Sequence, residues 1–362
     1  MSLKKNKNKN KNTNKSQNEN LPFVSICTPT FNRRPFFPYI IKCFENQTYP
    51  KDRMEWIIID DGTDKIEDIV SHVPQVKYFR YDKKMSLGKK RNISHDMAKG
   101  DIIVYMDDDD YYPPDRVSHA IEMLNKNPNI LCAGSSEMYI YFKHIHKMYQ
   151  FGPYGPNHAT AATFAFRKEL LKQTRYDENA AVAEEKHFLK GYTIPFVQLD
   201  PMKCILVFSH NHNSFDKKEL LDGPPNPTIN ESTKKPSDFV KETEILKFFM
   251  EDIDKELETY NLGKPEHKPD VTKQLLEIKA TRAKMIEEHM RKQKEMEFMN
   301  QPIIQAAQKR LNELSVVIQE LTNENTQLKG KVKYLEDKMR QIITEQIQER
   351  IKLSKITDNN IT

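Results

Sequence analysis

Four consecutive aspartates, Asp107–Asp110, follow the strongly apolar segment Ile102–Met106. Adjacent carboxylates repel one another, so the cluster has no evident structural benefit. A bound Mg²⁺ or Mn²⁺ ion resolves this conflict, because these ions prefer carboxylate oxygens and need few protein ligands when phosphate is present. The segment therefore predicts a metal site at the end of a buried strand, where open α/β sheets bind ligands. A solvated acidic loop is the alternative interpretation.

Two shorter motifs contain further groups that suit a nucleotide. Asp60–Gly62 (DDG) ends a second apolar segment, where a carboxylate can accept hydrogen bonds from a base or a ribose. Ser86–Asn92 (SLGKKRN) places three basic residues at a predicted helix N-terminus, which suits a diphosphate. Read alone, the first motif is also an ordinary turn and the second is also a solvated basic helix.

Alternating strands and helices are predicted to hold these motifs. Up to residue 106, apolar β-prone segments alternate with segments of helical periodicity. This order indicates a parallel sheet covered by helices on both faces. The predicted strands are Val24–Thr28, Met54–Asp60, Val76–Tyr81 and Ile102–Met106, and the predicted helices are Pro35–Gln47, Asp64–Ser71 and Gly88–Ala98.

Beyond residue 113 the predicted elements become shorter and more closely spaced, which indicates a mixed extension of the sheet. The Pro-rich segment Asp222–Pro236 predicts a boundary or a surface loop. An amphipathic helix is predicted at Ser237–Tyr260 and a linker at Lys264–Pro269. The predicted strands of the extension are Ile130–Ala133, Glu137–Phe142, Lys147–Phe151, Thr163–Phe166 and Lys203–Ser209, and the predicted helices are Asp115–Asn125, Arg167–Thr174 and Glu184–Leu189.

The composition of the 362 residues disfavours several classes of protein. No run of 18 apolar residues and no apolar signal segment occurs, so we expect a cytoplasmic chain without membrane insertion. The net charge of +5 arises entirely from the Lys/Asn-rich arm at residues 1–20, which is predicted to be disordered. The formally neutral remainder argues against nucleic-acid binding. The widely spaced cysteines predict buried, reduced thiols: Cys27, Cys43, Cys132 and Cys204.

Four motifs, in this order, resemble those of family 2 glycosyltransferases: PTFNR at Pro29–Arg33, IIIDDG at Ile57–Gly62, GKKRN at Gly88–Asn92 and MDDDD at Met106–Asp110. The resemblance covers about residues 22 to 215. It implies an α/β fold, a GT-A-type Rossmann-like mixed sheet flanked by helices. The chain lacks the GxGxxG and GxxxxGK[ST] loops of dinucleotide-binding and P-loop proteins.

The resemblance also implies which residues bind the donor and the metal. Asp109 would be the direct metal ligand, and Asp107 would contact the ribose or a metal-bound water. Asp108 would contact the donor beside them, and His212 would help to bind the metal or the diphosphate. The residues implied to line the nucleotide pocket or approach its phosphates are Pro29, Thr30, Asn32, Arg33, Asp60, Asp61, Lys89 and Arg91.

Two glutamates are candidates for the general base. Family members carry a Glu-Asp pair at the start of a helix, and Glu184 and Glu185 occupy those places here. Glu185 matches the base, but a glutamate in place of aspartate extends the carboxylate by one methylene. Glu184 therefore stays as the second candidate. Alternatively, both residues simply favour the helix dipole.

The histidines leave a second metal hypothesis open. His210 and His212 project to one side of an extended segment, and His144 and His146 repeat the same spacing. Together these four residues offer the ligands of a zinc site, as an alternative to a single His212 beside the aspartates.

The C-terminal segment has a heptad pattern. The d positions are leucine in four of five heptads, and Asn325 at position a is typical of a register-fixing polar residue. The pattern predicts a parallel homodimeric coiled coil at 304–350, with Pro302 ending any preceding helix. The a positions are Leu311, Ile318, Asn325, Val332 and Met339, and the d positions are Leu314, Leu321, Leu328, Leu335 and Ile342.

These observations predict four regions: an arm at 1–20, a GT-A domain at 21–220, a Pro-rich loop, helix and linker at 221–270, and a helical region at 271–355. The predicted activity is inverting transfer of a sugar from a nucleotide-diphosphate donor, a UDP-sugar, to a hydroxyl of a glycan or protein, with Mn²⁺ or Mg²⁺. The alternative is an inactive transferase-like domain on a coiled-coil scaffold. The Lys/Asn bias also resembles that of glycosyltransferases from large DNA viruses, which would place the protein in the host cytoplasm or the virion.

Overall fold

The computed structural model of the chain describes residues 20–223 and 226–358. The predicted arm lies outside the described residues except for Asn20. The chain divides at Lys279 into two units. In the described residues the strands are β1 Val24–Thr30, β2 Met54–Asp60, β3 Val76–Arg80, β4 Ile102–Tyr105, β5 Cys132–Gly134, β6 Met138–Phe142, β7 Lys147–Phe151, β8 Ala165–Arg167, β9 Phe196–Gln198, β10 Leu206–Ser209 and β11 Ile229–Glu231.

The described residues of the first unit contain two sheets. The larger sheet has the order β3-β2-β1-β4-β8-β5-β9 and is parallel from β3 to β4. Strand β8 pairs antiparallel with both β4 and β5, so the sheet is mixed. The smaller sheet has the order β10-β6-β7-β11. This is the predicted mixed α/β fold, with its parallel half built from the first four strands.

Helices cover both faces of the larger sheet. Alternate residues of β2 enter two separate apolar clusters, with Trp56 and Ile58 in one and Ile57 and Ile59 in the other. A strand buried on both faces is apolar on both of them, which explains the nearly continuous apolar run in MEWIIID. The helices of the first unit are α1 Phe37–Glu45, α2 Glu67–Val70, α3 Leu87–Met97, α4 Arg116–Lys126, α5 Glu185–Phe188, α6 Pro236–Phe239, α7 Thr243–Lys247 and α8 Ile253–Thr259.

The segment after residue 221 differs from its prediction. The Pro-rich stretch includes β11, an edge strand that pairs antiparallel with β7. The single helix predicted at Ser237–Tyr260 is wrong, because α6, α7, a π-helical turn at Phe248–Asp252 and α8 divide it. Apolar residues on several sides of this segment, including Phe239 and Val240, are buried in the main core, so tertiary packing overrides the simple periodicity.

The second unit contains most of a long helix, α9 Pro269–Asp358. Every side chain described between residues 280 and 353 is exposed. The break predicted at Pro302 is wrong, because the helix continues through this residue. A proline removes one backbone hydrogen bond, and on an exposed helix water can satisfy the freed carbonyl. None of the helices in the described part of the chain combines the length and apolar character needed to cross a membrane.

The four cysteines are free and buried, as predicted.

Candidate functional site

A cavity of about 330 Å³ opens where β1 and β4 end. The residues after β4 form one wall, and loops before α3 and α5 form two others. The segment that leads into α9 closes the fourth side. Of the residues predicted to bind donor or metal, the cavity brings together Pro29, Arg33, Arg91, Asp107, Asp108 and Asp109, with Glu184 beside them.

The acidic cluster is held in place by its neighbours in the sheet. The Thr28 hydroxyl donates to the carbonyl oxygen of Met106 at 2.6 Å, which fixes the end of β4 beside β1. The backbone N–H of Asp107 donates to the Tyr112 hydroxyl at 2.6 Å. Asp110 turns away from the cavity into the protein, and its Oδ1 has no hydrogen-bond partner in the described structure.

Arg33 is the cation closest to the acidic cluster. Its Nη2 lies 3.4 Å from Asp109 Oδ2, and its Nε lies 3.8 Å from Asp108 Oδ1. The guanidinium is oriented by two carbonyl oxygens, those of His212 at 2.6 Å and Gly263 at 3.0 Å. Arg33 is therefore fixed by backbone groups and faces the carboxylates through longer contacts.

The protonation of the four aspartates follows from their burial. Burial raises the pKa of Asp107 and Asp110, and it raises the pKa of Asp108 to about 6. Burial opposes ionisation of Asp109 too, but the His210 ring and Arg33 outweigh it and hold the pKa of Asp109 below its usual range. The raised pKa values of the other three carboxyls show that the buried cluster disfavours further negative charge, which a bound cation would offset.

Two further cavity residues, Arg91 and Lys90, also form ion pairs. Arg91 is buried, and its Nε donates to Glu184 Oε1 at 2.9 Å while its Nη2 lies 3.5 Å from Asp107 Oδ1. Its Nη1 has no hydrogen-bond partner in the described structure. Lys90 Nζ lies 2.8 Å from Asp61 Oδ1. The cavity therefore contains cations and carboxylates in close alternation.

The SLGKKRN motif contributes Lys90 where the prediction chose Lys89. Lys89 is exposed and lies outside the cavity lining, whereas Lys90 and Arg91 are buried and line it. The phase of α3 accounts for the difference, since neighbouring residues of a helix point about 100° apart. The Ser86 hydroxyl accepts the Lys89 N–H and caps the helix start.

The PTFNR motif divides by side-chain direction. Pro29, Phe31 and Arg33 line the cavity, while Thr30 and Asn32 do not. Strand β1 ends at Thr30 and Asn32 has a positive φ of 52°, so the predicted set divides where the extended backbone of the strand ends. The Oδ1 atom of Asn32 accepts the N–H groups of Thr63 and Asp64. Phe31 was missed by the prediction.

The DDG aspartates lie outside the cavity lining. Asp60 accepts hydrogen bonds from the Gly62 N–H at 2.8 Å and the Tyr78 hydroxyl at 2.7 Å. Asp61 accepts from the Met85 N–H at 2.5 Å in addition to its ion pair with Lys90. Both carboxylates are therefore occupied by protein donors, and Asp61 reaches the cavity only through Lys90.

The imidazole beside the acidic cluster belongs to His210. Its Nε2 lies 3.4 Å from Asp109 Oδ2, and burial lowers its pKa to about 3. His212 is 1% exposed, its ring nitrogens have no partners in the described structure, and burial lowers its pKa to about 4. Both rings are thus neutral, the form that binds metals. The structure places His210, not His212, next to Asp109.

The donor atoms at the cavity suit a hard divalent cation, although they are not assembled around a preformed centre. Among the described residues, no group of three or more His, Cys, Asp or Glu side chains is close enough to hold a metal. The four-histidine zinc hypothesis is therefore wrong for this structure. Mg²⁺ and Mn²⁺ need fewer protein ligands, because substrate phosphates and water complete their coordination. Asp109 and Asp107 at the cavity fit that mode.

The two candidate bases have different environments. Glu184 is buried, lines the cavity and pairs with Arg91. Glu185 forms no ion pair in the described structure, and burial together with Glu184 raises its pKa to about 7. Glu185 is in the lining of neither this cavity nor a second cavity of about 780 Å³, whose lining includes Glu184 and Lys186.

Several cavity residues lie outside the motifs and are not indicated by local periodicity. Lys84 lies in the loop before α3, while Lys268 and Asp270 lie at the start of α9. Lys84 Nζ is 2.6 Å from Asp270 Oδ1, a contact between residues 186 positions apart. Such long-range pairs do not follow from local periodicity or motif spacing.

Comparison with known sequences identifies the segment that carries the motifs. Residues 25–182 match the profile of Glycosyl transferase family 2. A Haemophilus influenzae protein named "Uncharacterized glycosyltransferase" is 30% identical over 121 residues, 32% of this chain and 48% of that protein. The Escherichia coli "Putative colanic acid biosynthesis glycosyl transferase WcaA" is 32% identical over 105 residues, 28% of this chain and 37% of that protein. The chain thus spans less than half the length of these relatives.

A solved structure of Staphylococcus aureus TarS in complex with UDP-GlcNAc is also similar, with a TM-score of 0.40 and 17% identity over 52% of this chain and 59% of that chain. The predicted likeness to family 2 is confirmed for residues 25–182, and the match and the relatives' names support a glycosyltransferase enzyme. Glu184 and Glu185 lie just beyond the matched segment.

Proposed function

We propose that the protein is an inverting glycosyltransferase that uses a nucleotide-diphosphate sugar, a UDP-sugar, and a divalent metal ion to glycosylate a hydroxyl group. The observation that carries this proposal is the cavity at the ends of β1 and β4. Asp107–Asp109 line it together with Arg33, Lys90 and Arg91, which is a suitable lining for a diphosphate and its counter-ion.

Within this proposal the nucleotide lies along the PTFNR segment. Phe31 offers an aromatic surface, and the ammonium groups of Lys84 and Lys90 lie 5.2 and 6.0 Å from its ring centroid. Arg91 has an N–H group without a partner in the described structure, and this group would donate to a phosphate oxygen. Asp61 positions Lys90 rather than contacting the base itself.

Asp109, with Asp107, would hold Mn²⁺ or Mg²⁺. When bound, such an ion neutralises the charge that grows on the departing diphosphate. Ionised Asp109 is the natural first ligand, because its pKa is held below the usual range while those of its neighbours are raised. Metal binding would then release protons from the cluster, so metal affinity should fall as pH is lowered.

Glu185 is our choice for the general base, with Glu184 as the positioning partner of Arg91. Glu185 would take the proton of the acceptor hydroxyl while that oxygen forms a bond to the anomeric carbon. The bond from that carbon to the diphosphate oxygen breaks, and the nucleoside diphosphate leaves with its electron pair. Attack from the face opposite the leaving group inverts the anomeric configuration. A base with a pKa of about 7 is well matched to this step near neutral pH.

A screen of nucleotides tests this function most broadly. Purified full-length protein is melted with UDP, GDP and their common sugar derivatives, with Mn²⁺, with Mg²⁺ and with EDTA. We expect one nucleotide series to raise the Tm, and only when metal is present, because a ligand that binds the folded state stabilises it. No shift with any nucleotide-diphosphate would contradict the proposal.

We also propose that α9 pairs with a second copy as a parallel coiled coil over 304–350. Its apolar a and d residues are unpartnered in the isolated chain, with Leu311 at 62% and Leu321 at 58% exposure. Water-exposed leucines at heptad spacing are stabilised by a partner helix. Sedimentation equilibrium of the full-length protein at micromolar concentration should show a dimer. A monomer would refute the pairing, and a trimer would refute the role given to Asn325.

A further inference from the structure

Lys268 is a buried cation in the wall of the candidate donor cavity. It lies between the short turn Pro265–His267 and the first residue of α9. Only 6% of the residue is exposed, and it lines the cavity with Asp108 and Asp109. Neither the family match, which ends at residue 182, nor the motif analysis reaches this residue.

The ionic surroundings of Lys268 differ from those of the other cavity cations. Each of those four cations has a carboxylate within 4 Å. In the described structure, Lys268 forms no ion pair, and its Nζ donates one hydrogen bond, to the Ser214 hydroxyl at 2.9 Å. The paired cations and their partners are Arg33 with Asp109, Lys84 with Asp270, Lys90 with Asp61, and Arg91 with Glu184.

An ammonium group that is buried without a counter-ion is unfavourable. Burial, together with Arg33, lowers the pKa of Lys268 well below its usual value and outweighs the opposing effect of Asp108 and Asp109, neither of which lies within ion-pair distance in the described structure. An anion that entered the cavity would supply the missing partner. The bridging and terminal oxygens of a diphosphate offer such a charge at the place where the proposed donor binds.

The backbone around Lys268 is anchored before any ligand arrives. Asp270 accepts from Lys84 at 2.6 Å through both of its oxygens. One turn later, Gln274 Oε1 accepts the Ala181 N–H at 2.8 Å, and Gln274 Nε2 donates to the carbonyl oxygen of Asn179 at 2.6 Å. The first turns of α9 are thus tied to both loops that border the cavity, and Lys268 is positioned without needing an ordering step.

We propose that Lys268 binds the diphosphate of the nucleotide-sugar donor, and that the start of α9 is part of the donor site. This inference rests on the proposed function of the cavity. The diphosphate would then be the counter-ion that Lys268 lacks in the described structure. Lys268 directly precedes α9, the helix that contains the predicted coiled coil.

Titration calorimetry with UDP, inorganic pyrophosphate and uridine, all in one Mg²⁺ buffer, tests the inference. Lys268→Met should weaken UDP and pyrophosphate binding about 10- to 100-fold, the usual loss for a hydrogen bond between charged groups. Uridine binding should be unchanged, because uridine has no phosphate. Lys268→Arg should restore part of the affinity. Lys279→Met is the matched control, since Lys279 lies in the first turns of α9 but lines a different pocket.

A melting experiment without ligand separates binding from structure. Lys268→Met should melt at the wild-type temperature or above it, because the variant removes a buried amino group that forms no ion pair in the described structure. If the variant binds UDP and pyrophosphate as tightly as the wild type, the inference is wrong and the proposed function stands. Equal losses for uridine with a lower Tm would show a structural role and also overturn it. If the folded wild type binds neither UDP nor pyrophosphate, the proposed function itself fails.

Discussion

Aspartates lie at the ends of both β2 and β4, at the same edge of one sheet, but their hydrogen-bonding environments differ. At the end of β2, Asp60 and Asp61 accept hydrogen bonds of 2.5–2.8 Å from backbone, tyrosine and lysine donors. After β4, the contacts of Asp108 and Asp109 with cations are 3.4–3.8 Å long, and Asp110 Oδ1 has no partner in the described structure. The first pair is satisfied by the protein itself, whereas the second cluster still needs a partner.

The two glutamates before and within α5 show the same contrast. Glu184 is satisfied by Arg91, while Glu185 lacks an ion pair in the described structure. Carboxylates that have short protein donors hold the fold together. Those that lack them have raised pKa values or long contacts and are available to a metal or a substrate. Substituting a carboxylate that has short protein donors should therefore lower stability. Substituting one that lacks them should lower activity or ligand binding.

The largest effect should follow Glu185→Gln. Loss of the proposed base should lower kcat about 10²- to 10⁴-fold with donor binding retained. In the wild type, kcat/KM should rise with pH up to about 7 and then level off, because Glu185 must be deprotonated and its pKa is about 7. The variant should lose this inflection.

Glu184→Gln is the control, and it should lower the Tm because it removes a partner of buried Arg91. A reversed result, with the kinetic loss in Glu184→Gln, would assign the base to Glu184.

Asp109→Asn should have the next largest effect. Removing the proposed metal ligand should lower metal-dependent turnover on the order of 10²–10³-fold, the loss typical of a group that stabilises the transition-state charge. Calorimetry should also show that Mn²⁺ no longer strengthens UDP binding. If Asp109→Asn binds UDP in Mn²⁺ as tightly as the wild type does, Asp109 is not a metal ligand.

Asp60→Asn should change stability rather than activity. The substitution weakens two short hydrogen bonds to a buried carboxylate, so the free energy of unfolding should fall by about 2–3 kcal/mol in urea titrations at pH 7. UDP affinity of the folded variant should match the wild type. Weaker UDP binding at unchanged stability would instead make Asp60 a nucleoside contact, as the family resemblance implies.

The smallest effect is expected for Asp110→Asn, a modest gain in apo stability. Burial raises the pKa of Asp110 in the folded state, so its contribution to stability is full at low pH and is lost as pH rises through the folded-state pKa. Asparagine mimics the protonated form. The difference in Tm between variant and wild type should therefore grow from pH 4 to pH 7, and a constant difference would contradict this account.

Local patterns were sufficient to predict the parallel half of the sheet but only part of the site. The apolar run of β2 and the acidic end of β4 are local features, and both were placed correctly. Whether an aspartate is satisfied depends on distant donors such as Tyr78 for Asp60, so the sequence could not separate DDG from DDDD. Lys268 has no local signal, because its importance comes from a cavity built by residues far away in the chain.

The measurement that tests the central claim most directly is release of nucleoside diphosphate from nucleotide-sugars by the purified full-length protein. We predict release from at least one UDP- or GDP-sugar in Mn²⁺ or Mg²⁺, slow without an acceptor, abolished by EDTA, and greatly reduced in both Asp109→Asn and Glu185→Gln. Asp60→Asn should release nucleoside diphosphate at the wild-type rate per folded molecule. A folded wild-type protein that releases no diphosphate from any of these donors, or that does so equally well with Asp109→Asn in EDTA, would contradict the account.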